Sequence, residues 1–240
     1  MDIRFRQALF VIVAGALCAR TRAARAGHQE PAFHPELKAS IQAAVSASKA
    51  LPEDRKVELR KLARYVTDKL KAKEPANLLF ICTHNSRRSH MAQLWAATAA
   101  AYYRIDGVHT YSGGTEATAF NPRAVAAMRR AGFKIDDGEG ANPHYKVSFA
   151  AGLPPSEVFS KTFAGKSNPQ SSFAAVMTCA QADESCPVVP GATIRAALHY
   201  EDPKASDGTP EESATYDARS RQIASEMFYL FSQVGHGATR

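Results

Sequence analysis

The chain has little to offer metal or disulfide chemistry. Four cysteines stand in 240 residues, at Cys18, Cys82, Cys179 and Cys186. No His/Cys pairs recur at zinc spacing, so no metal site is expected; His84 and His90 are separated by two arginines. Cysteine this sparse also excludes a small disulfide-built scaffold. No run of apolar residues reaches the length of a bilayer span; the stretch 8–19 falls short of it. Internal repeats and low-complexity tracts are absent. An excess of positive charge, +7 overall, invites a nucleic-acid partner, but its distribution argues against one. Residues 1–74 carry 15 Lys/Arg against 8 Asp/Glu, and residues 75–240 carry 15 of each. The larger part is neutral, and the surplus sits in an N-terminal extension. What remains is ordinary globular composition, 45% hydrophobic and 22% charged, with length for one sizeable core.

Within that plain background one segment is chemically loaded. Residues 76–81 read as a buried strand, and residues 89–103 as a helix rich in Ala, Leu, Met and Gln. Between them lie Cys82, Thr83, His84, Asn85, Ser86, Arg87, Arg88 and Ser89. A turn of this kind points successive amides inward as an anion nest, and the helix N-terminus adds partial positive charge. Arg88 offers a planar fork that grips two oxygens of a tetrahedral oxyanion. The same field favours the thiolate of Cys82, and the Ser89 hydroxyl is placed to donate to it. Taken alone, a cysteine closing a buried strand is more often a small core residue. The strand before, the helix after and the polar turn raise the signal above that.

The strand expected at 172–178 delivers Cys179 to the sheet edge that carries Cys82. Strand ends in an open parallel sheet line one crevice, which lets the two thiols approach. Cys186 follows across a short polar segment. A structural disulfide between Cys179 and Cys186, or two buried thiols, is the bland reading of this pair.

Cys82, Asn85, Ser86, Arg88 and Ser89 resemble the catalytic loop of the low-molecular-weight protein tyrosine phosphatases and of the thioredoxin-coupled arsenate reductases that share their fold. The likeness continues through residues 111–117, Asn121-Pro122-Arg123 and Glu201-Asp202-Pro203 in unbroken order, over roughly residues 75–235. It implies a three-layer α/β domain over 75–240 with a four-stranded, mostly parallel sheet flanked by helices, strands near 76–82, 108–112, 172–178 and 194–200, and no cofactor. It implies Cys82 as nucleophile, the loop 83–89 as oxyanion cradle, Arg88 as its cation and Asp202 as general acid. On the arsenate reductase side it further implies Cys179 and Cys186 as a relay that ends on thioredoxin. On the phosphatase side the substrate is a phosphomonoester such as phosphotyrosine, and the extra cysteines are not needed. A binding protein that holds an oxyanion without turnover is the third reading. Lys204 follows Asp202-Pro203 where an aromatic residue is common in the phosphatases, which argues against a phosphotyrosine-stacking wall there.

Departures from the pattern carry expectations of their own. His84 replaces a glycine, so its side chain points out of the loop or narrows the mouth. Arg87 replaces a second cysteine and adds positive charge. Gln93 stands where a glutamate often accompanies a monovalent cation. The segment 138–171 contains a strand-like apolar piece at 144–149 and reads on the whole as a solvent-exposed insertion.

Ahead of the domain, residues 36–50 and 52–71 read as two amphipathic helices of a helical extension over 27–74, with stripes Leu37/Ile41/Val45 and Leu59/Leu62/Val66/Leu70. Residues 1–26 resemble a secretory signal, with Arg4 and Arg6 ahead of the apolar stretch and small residues before Gly27. Cleavage there removes Cys18, exports the chain to the periplasm and leaves no stable membrane insertion; without it the chain is cytoplasmic. An oxidising compartment favours a phosphatase whose Cys179 and Cys186 stay joined.

Overall fold

The structure, a computed structural model, describes residues 31–235. Its centre is a sheet of four strands, all parallel, in the spatial order β3 (Val108–Gly114), β2 (Ala76–Cys82), β8 (Phe173–Met177), β9 (Ala192–Ala197). Strand β2 is central and buried on both faces, which explains its unbroken apolar run. Its side chains alternate: Leu78 and Phe80 enter the larger core, Leu79 and Ile81 a smaller one on the opposite face.

The larger core is roofed by helices. α3 (Arg88–Tyr102) returns from the end of β2, and α6 (Glu212–Ser232) packs on α3, on α4 (Pro122–Arg130), and on α1 (Pro35–Ser48) and α2 (Glu53–Lys71). The stripe Leu59, Leu62, Val66 on α2 and Leu37, Ile41 on α1 are fully or almost fully buried in that same core. α2 begins with Glu53 and Asp54 and ends with Lys69 and Lys71, matching the helix dipole at both ends. α4 is started by Asn121, whose side chain accepts from the Arg123 amide at 2.9 Å, with Pro122 in the first turn. Among the described residues, the smaller core is covered by α5 (Ala180–Ser185) and by segments carrying Phe163 and Val189.

The expectation of a solvent-exposed insertion at 138–171 is corrected. With β4 (Lys134–Ile135), β5 (Tyr145–Ser148) and β7 (Ser156–Val158) this region builds a three-stranded antiparallel sheet. Tyr145, Val147 and Val158 turn into the main core, so the segment is held by burial. A two-stranded ribbon of β1 (Ala32–Phe33) with β6 (Ala150–Ala151) ties it to the start of α1. Smaller differences concern boundaries, among them β9, expected at 194–200 and found at Ala192–Ala197. Pro52 caps α2 instead of opening it, and α6 starts at Glu212, a turn before the expected Tyr216. The signal read at 1–26, with Cys18, lies outside the described residues.

Candidate active site

The loop from Cys82 to Arg88 is shaped by what holds its carbonyls. The Cys82 carbonyl accepts from the Thr115 amide at 3.2 Å, and that of Thr83 from the Glu116 amide at 2.8 Å. The His84 carbonyl accepts from Ser160 Oγ and Thr118 Oγ1, each at 3.1 Å, and that of Ser86 from the Asn121 amide at 2.9 Å. A trans peptide sets its N–H opposite its C=O. Carbonyls tied outward therefore leave the amides of residues 83, 84, 85 and 87 facing the loop's concavity, as an anion nest requires.

Two residue types make that turn possible. Asn85 sits at φ 43°, a left-handed conformation that asparagine tolerates. Its side chain locks it there: Oδ1 accepts from the Lys161 amide at 2.8 Å and Nδ2 donates to Ser89 Oγ at 2.9 Å. Gly114 lets β3 pass so close that a Cβ would lie 2.6 Å from the Thr83 carbonyl oxygen and 2.6 Å from the Asn85 amide nitrogen.

Cys82 is 3% exposed, and its Sγ lies 3.1 Å from Ser89 Oγ. Because Ser89 Oγ already accepts from Asn85, its own hydrogen is free for the sulfur. Arg88 Nη1 donates to the Tyr200 carbonyl at 2.9 Å and Nη2 to Asp202 Oδ2 at 2.7 Å. Its Nε is buried with no partner among the described residues, a charged donor left for a ligand. Asp202 is one-third exposed; its Oδ1 accepts from the Lys204 amide at 3.1 Å.

Arg87 is committed elsewhere. Its Nε donates to Tyr216 Oη at 2.8 Å and Nη2 to Asp207 at 3.4 Å, so its charge is met by a carboxylate and fastens α6 to the loop. Burial, then the neighbouring Asp207, push the Tyr216 phenol up to about 12. The His84 side chain points outward, with Nε2 3.8 Å from Glu116. Gln93 is buried with an unpartnered Oε1.

Cys179 reaches the same place from the next strand. Ile81 and Met177 are register partners, and the Thr178 amide and hydroxyl both donate to the Ile81 carbonyl, at 2.7 and 2.8 Å. Cys179, still extended, follows one residue beyond the position opposite Cys82. Strand spacing and rise then put the two Cα atoms about 6 Å apart, inside disulfide range. Cys179 is 2% exposed, its Sγ lies 3.5 Å from Thr83 Oγ1, and it shares one buried cluster with Cys82. Cys186 stands half-buried at the far end of α5. Seven residues of helical rise separate it from Cys179 by about 10 Å, outside disulfide range while α5 is wound.

Sequence reasoning missed the layer beneath the loop. His90 is fully buried, its Nδ1 3.0 Å from Ser112 Oγ and its ring 4.3 Å from that of Phe120. Burial, then the charge of Lys161, lower its pKa to about 3, so it is neutral at any ordinary pH. Lys161 is itself lowered to about 8 by burial, its ammonium 4.5 Å from the Phe159 ring centroid. Nothing local in the sequence marks Lys161 or Ser160, because both arrive from the region read as a loop. No grouping of three or more His, Cys, Asp or Glu among the described residues could hold a metal.

Comparison with known proteins bears on this geometry. The family model described as low molecular weight phosphotyrosine protein phosphatase matches residues 77–149. An arsenate reductase of Bacillus licheniformis is 29% identical over 158 residues, which is 66% of this chain and 96% of that protein. Among solved structures, an arsenate reductase in the phosphate binding state covers 67% of this chain and 99% of its own, at 19% identity and a TM-score of 0.44. A low molecular weight phosphotyrosine phosphatase from Vibrio cholerae O395 covers 68% and 99%, at 13% identity and a TM-score of 0.47. The chain is thus similar over residues 77–149 to the low molecular weight phosphotyrosine protein phosphatase family and, over 158 residues, to an arsenate reductase.

Proposed function

We propose that this chain is a thiol-based arsenate reductase, and the observation that carries the proposal is the buried Cys179 thiol beside the Cys82 loop. Phosphomonoester hydrolysis needs one cysteine; a second thiol within disulfide range of the first has no task in it. The loop amides and Arg88 hold arsenate, and the anion takes the guanidinium fork that otherwise holds Asp202. Released from that pairing, the Asp202 carboxyl takes up a proton and passes it to the departing oxygen, which leaves as water when the Cys82 thiolate bonds to arsenic. Cys179 as thiolate then attacks the Cys82 sulfur. A sulfur–sulfur bond forms, the sulfur–arsenic bond breaks, and its electron pair stays on arsenic, so As(V) leaves as arsenite, As(III). Once α5 unwinds, Cys186 attacks Cys179 and frees Cys82. A dithiol protein of the thioredoxin kind returns the two electrons, and the cycle therefore needs a reducing compartment.

The second reading is a phosphatase that uses Cys82, Arg88 and Asp202 alone, and the Arg88–Asp202 contact favours it equally. The experiment that separates the two is Cys179→Ser in the full chain, assayed for arsenate turnover with thioredoxin and for aryl phosphate hydrolysis. Loss of the first with survival of the second supports the relay; undiminished arsenate turnover sinks it.

A further inference from the structure

Arg88 is held from the N-terminal helices as well as from the loop. Its two terminal nitrogens bind the Tyr200 carbonyl and Asp202, which stand two residues apart on one short segment. What fixes Tyr200 therefore fixes both partners of Arg88. Tyr200 is almost fully buried, and its hydroxyl donates to Glu226 Oε2 at 2.7 Å. Glu226 lies on α6 and is 1% exposed. A carboxylate buried so deeply is costly unless it is paired and saturated with donors. The pairing comes from Arg55 on α2, whose Nε donates to Oε1 at 3.0 Å and whose Nη2 donates to Oε2 at 2.7 Å. The Arg55 guanidinium also lies 5.1 Å from the centroid of the Tyr200 ring, so it touches both members of the pair.

Holding α2 against α6 does not require this arrangement. The apolar stripe of α2 and the buried face of α6, with Ile223, Met227 and Leu230, already belong to one core. A hydrophobic pair of similar volume would serve adhesion as well as a buried ion pair. What the ion pair adds is a fixed direction for one tyrosine, the residue whose carbonyl orients the oxyanion-binding arginine. α2 also lies outside the segment matched by the phosphatase family model, residues 77–149.

We propose that Arg55 is a positioning residue for Arg88, acting through Glu226 and Tyr200, so that the N-terminal helices set the geometry of the oxyanion site. The proposal rests on the reading of the Cys82 loop as an oxyanion site, and its test keeps the two apart. In the full-length chain, alkylation of Cys82 by iodoacetamide is followed by mass spectrometry against rising inorganic phosphate. Occupancy of the loop slows alkylation and gives a midpoint without any turnover. Arg55→Met is expected to raise that midpoint about tenfold, a coupling of ordinary size between linked sites. Tyr200→Phe, which removes only the hydroxyl, shifts it the same way, and Arg55→Lys restores part of the loss. Arg130→Met serves as control: it breaks the Arg130–Asp217 ion pair between α4 and α6, lowers the melting temperature and leaves the midpoint unchanged. If Arg55→Met does not fold, Tyr200→Phe and Arg55→Lys carry the test. Midpoints within twofold of the parent in the folded variants overturn the inference while the loop reading stands. A parent protein that phosphate does not protect overturns the loop reading, and the inference with it.

Discussion

A neutral imidazole sealed under a cationic loop has a thermodynamic signature. His90 has a folded pKa of about 3 against an unfolded value of 6.5, so the folded state resists a proton that the unfolded chain accepts. Stability from this group is complete above pH 6.5 and is lost as pH falls from 6.5 toward 3, at a slope of up to ~1.4 kcal/mol per pH unit. His90→Gln should flatten the pH dependence of urea unfolding between pH 6 and 4; an unchanged slope there contradicts the assignment. Lys161 shows the opposite trade. Its folded pKa of about 8 lies below the unfolded 10.5, so it is held as a cation at neutral pH at a cost of roughly 3 kcal/mol. That cost falls only as pH rises from 8 through 10.5, where the unfolded chain binds more protons. Lys161→Met should therefore raise the unfolding free energy at pH 7, measured in urea, by part of this amount. The candidate loop was legible because Cys82, Arg88 and Ser89 lie within one contiguous turn. Asp202→Asn should lower kcat for an aryl phosphate by roughly 10²–10⁴-fold, the usual worth of a general acid. A loss under threefold would remove Asp202 from that role.

At the scale of elements, α5 is the part whose conformation must change. Six residues cannot sustain a helix by propensity alone, so α5 persists through its contacts. Ala182 is buried beneath it, and Asp183 is clamped by Arg195, which donates to its carbonyl at 2.6 Å, and by His199 at 2.9 Å, both arriving from β9 and the segment just after it. Asp183→Asn should loosen α5 and speed alkylation of Cys179 severalfold, with little effect on global stability. Equal rates would show that α5 opens by a route independent of the clamp. Strands β2 and β8 were readable from continuous apolar runs and helices α1 and α2 from 3.6-residue stripes, whereas β3 and β9, which mix polar and apolar residues, came with the family resemblance. Of the antiparallel sheet β4–β5–β7, β5 was readable as the apolar piece at 144–149, but its pairing with β4 and β7 was not. The sheet's strands are two to four residues long, and only its approach to the main core buries Tyr145, Val147 and Val158. Ser160 and Lys161, which fasten the loop from outside, were hidden for the same reason.

For the whole molecule, the helices of the extension are structural parts of the core. Leu59 and Leu62 have no exposed surface, and they share a core with α3, α6 and the sheet. Leu62→Ala should cost about 2–5 kcal/mol in urea unfolding, with the denaturant slope unchanged if one cooperative unit unfolds. A second transition would show that the extension melts separately. Charge tells a parallel story: the neutral residues 75–240 leave the anion field to the loop's own amides and to Arg88. The three described thiols also differ in depth. Cys82 and Cys179 are sealed to within a few per cent of full burial, and Cys186 alone is part-exposed, beside the open Val188. Peroxide arriving from bulk solvent thus meets the last thiol of the proposed relay first. Mass spectrometry of a peroxide titration should therefore find sulfenic acid on Cys186 before Cys82; modification of Cys82 first would show that thiolate character outweighs depth.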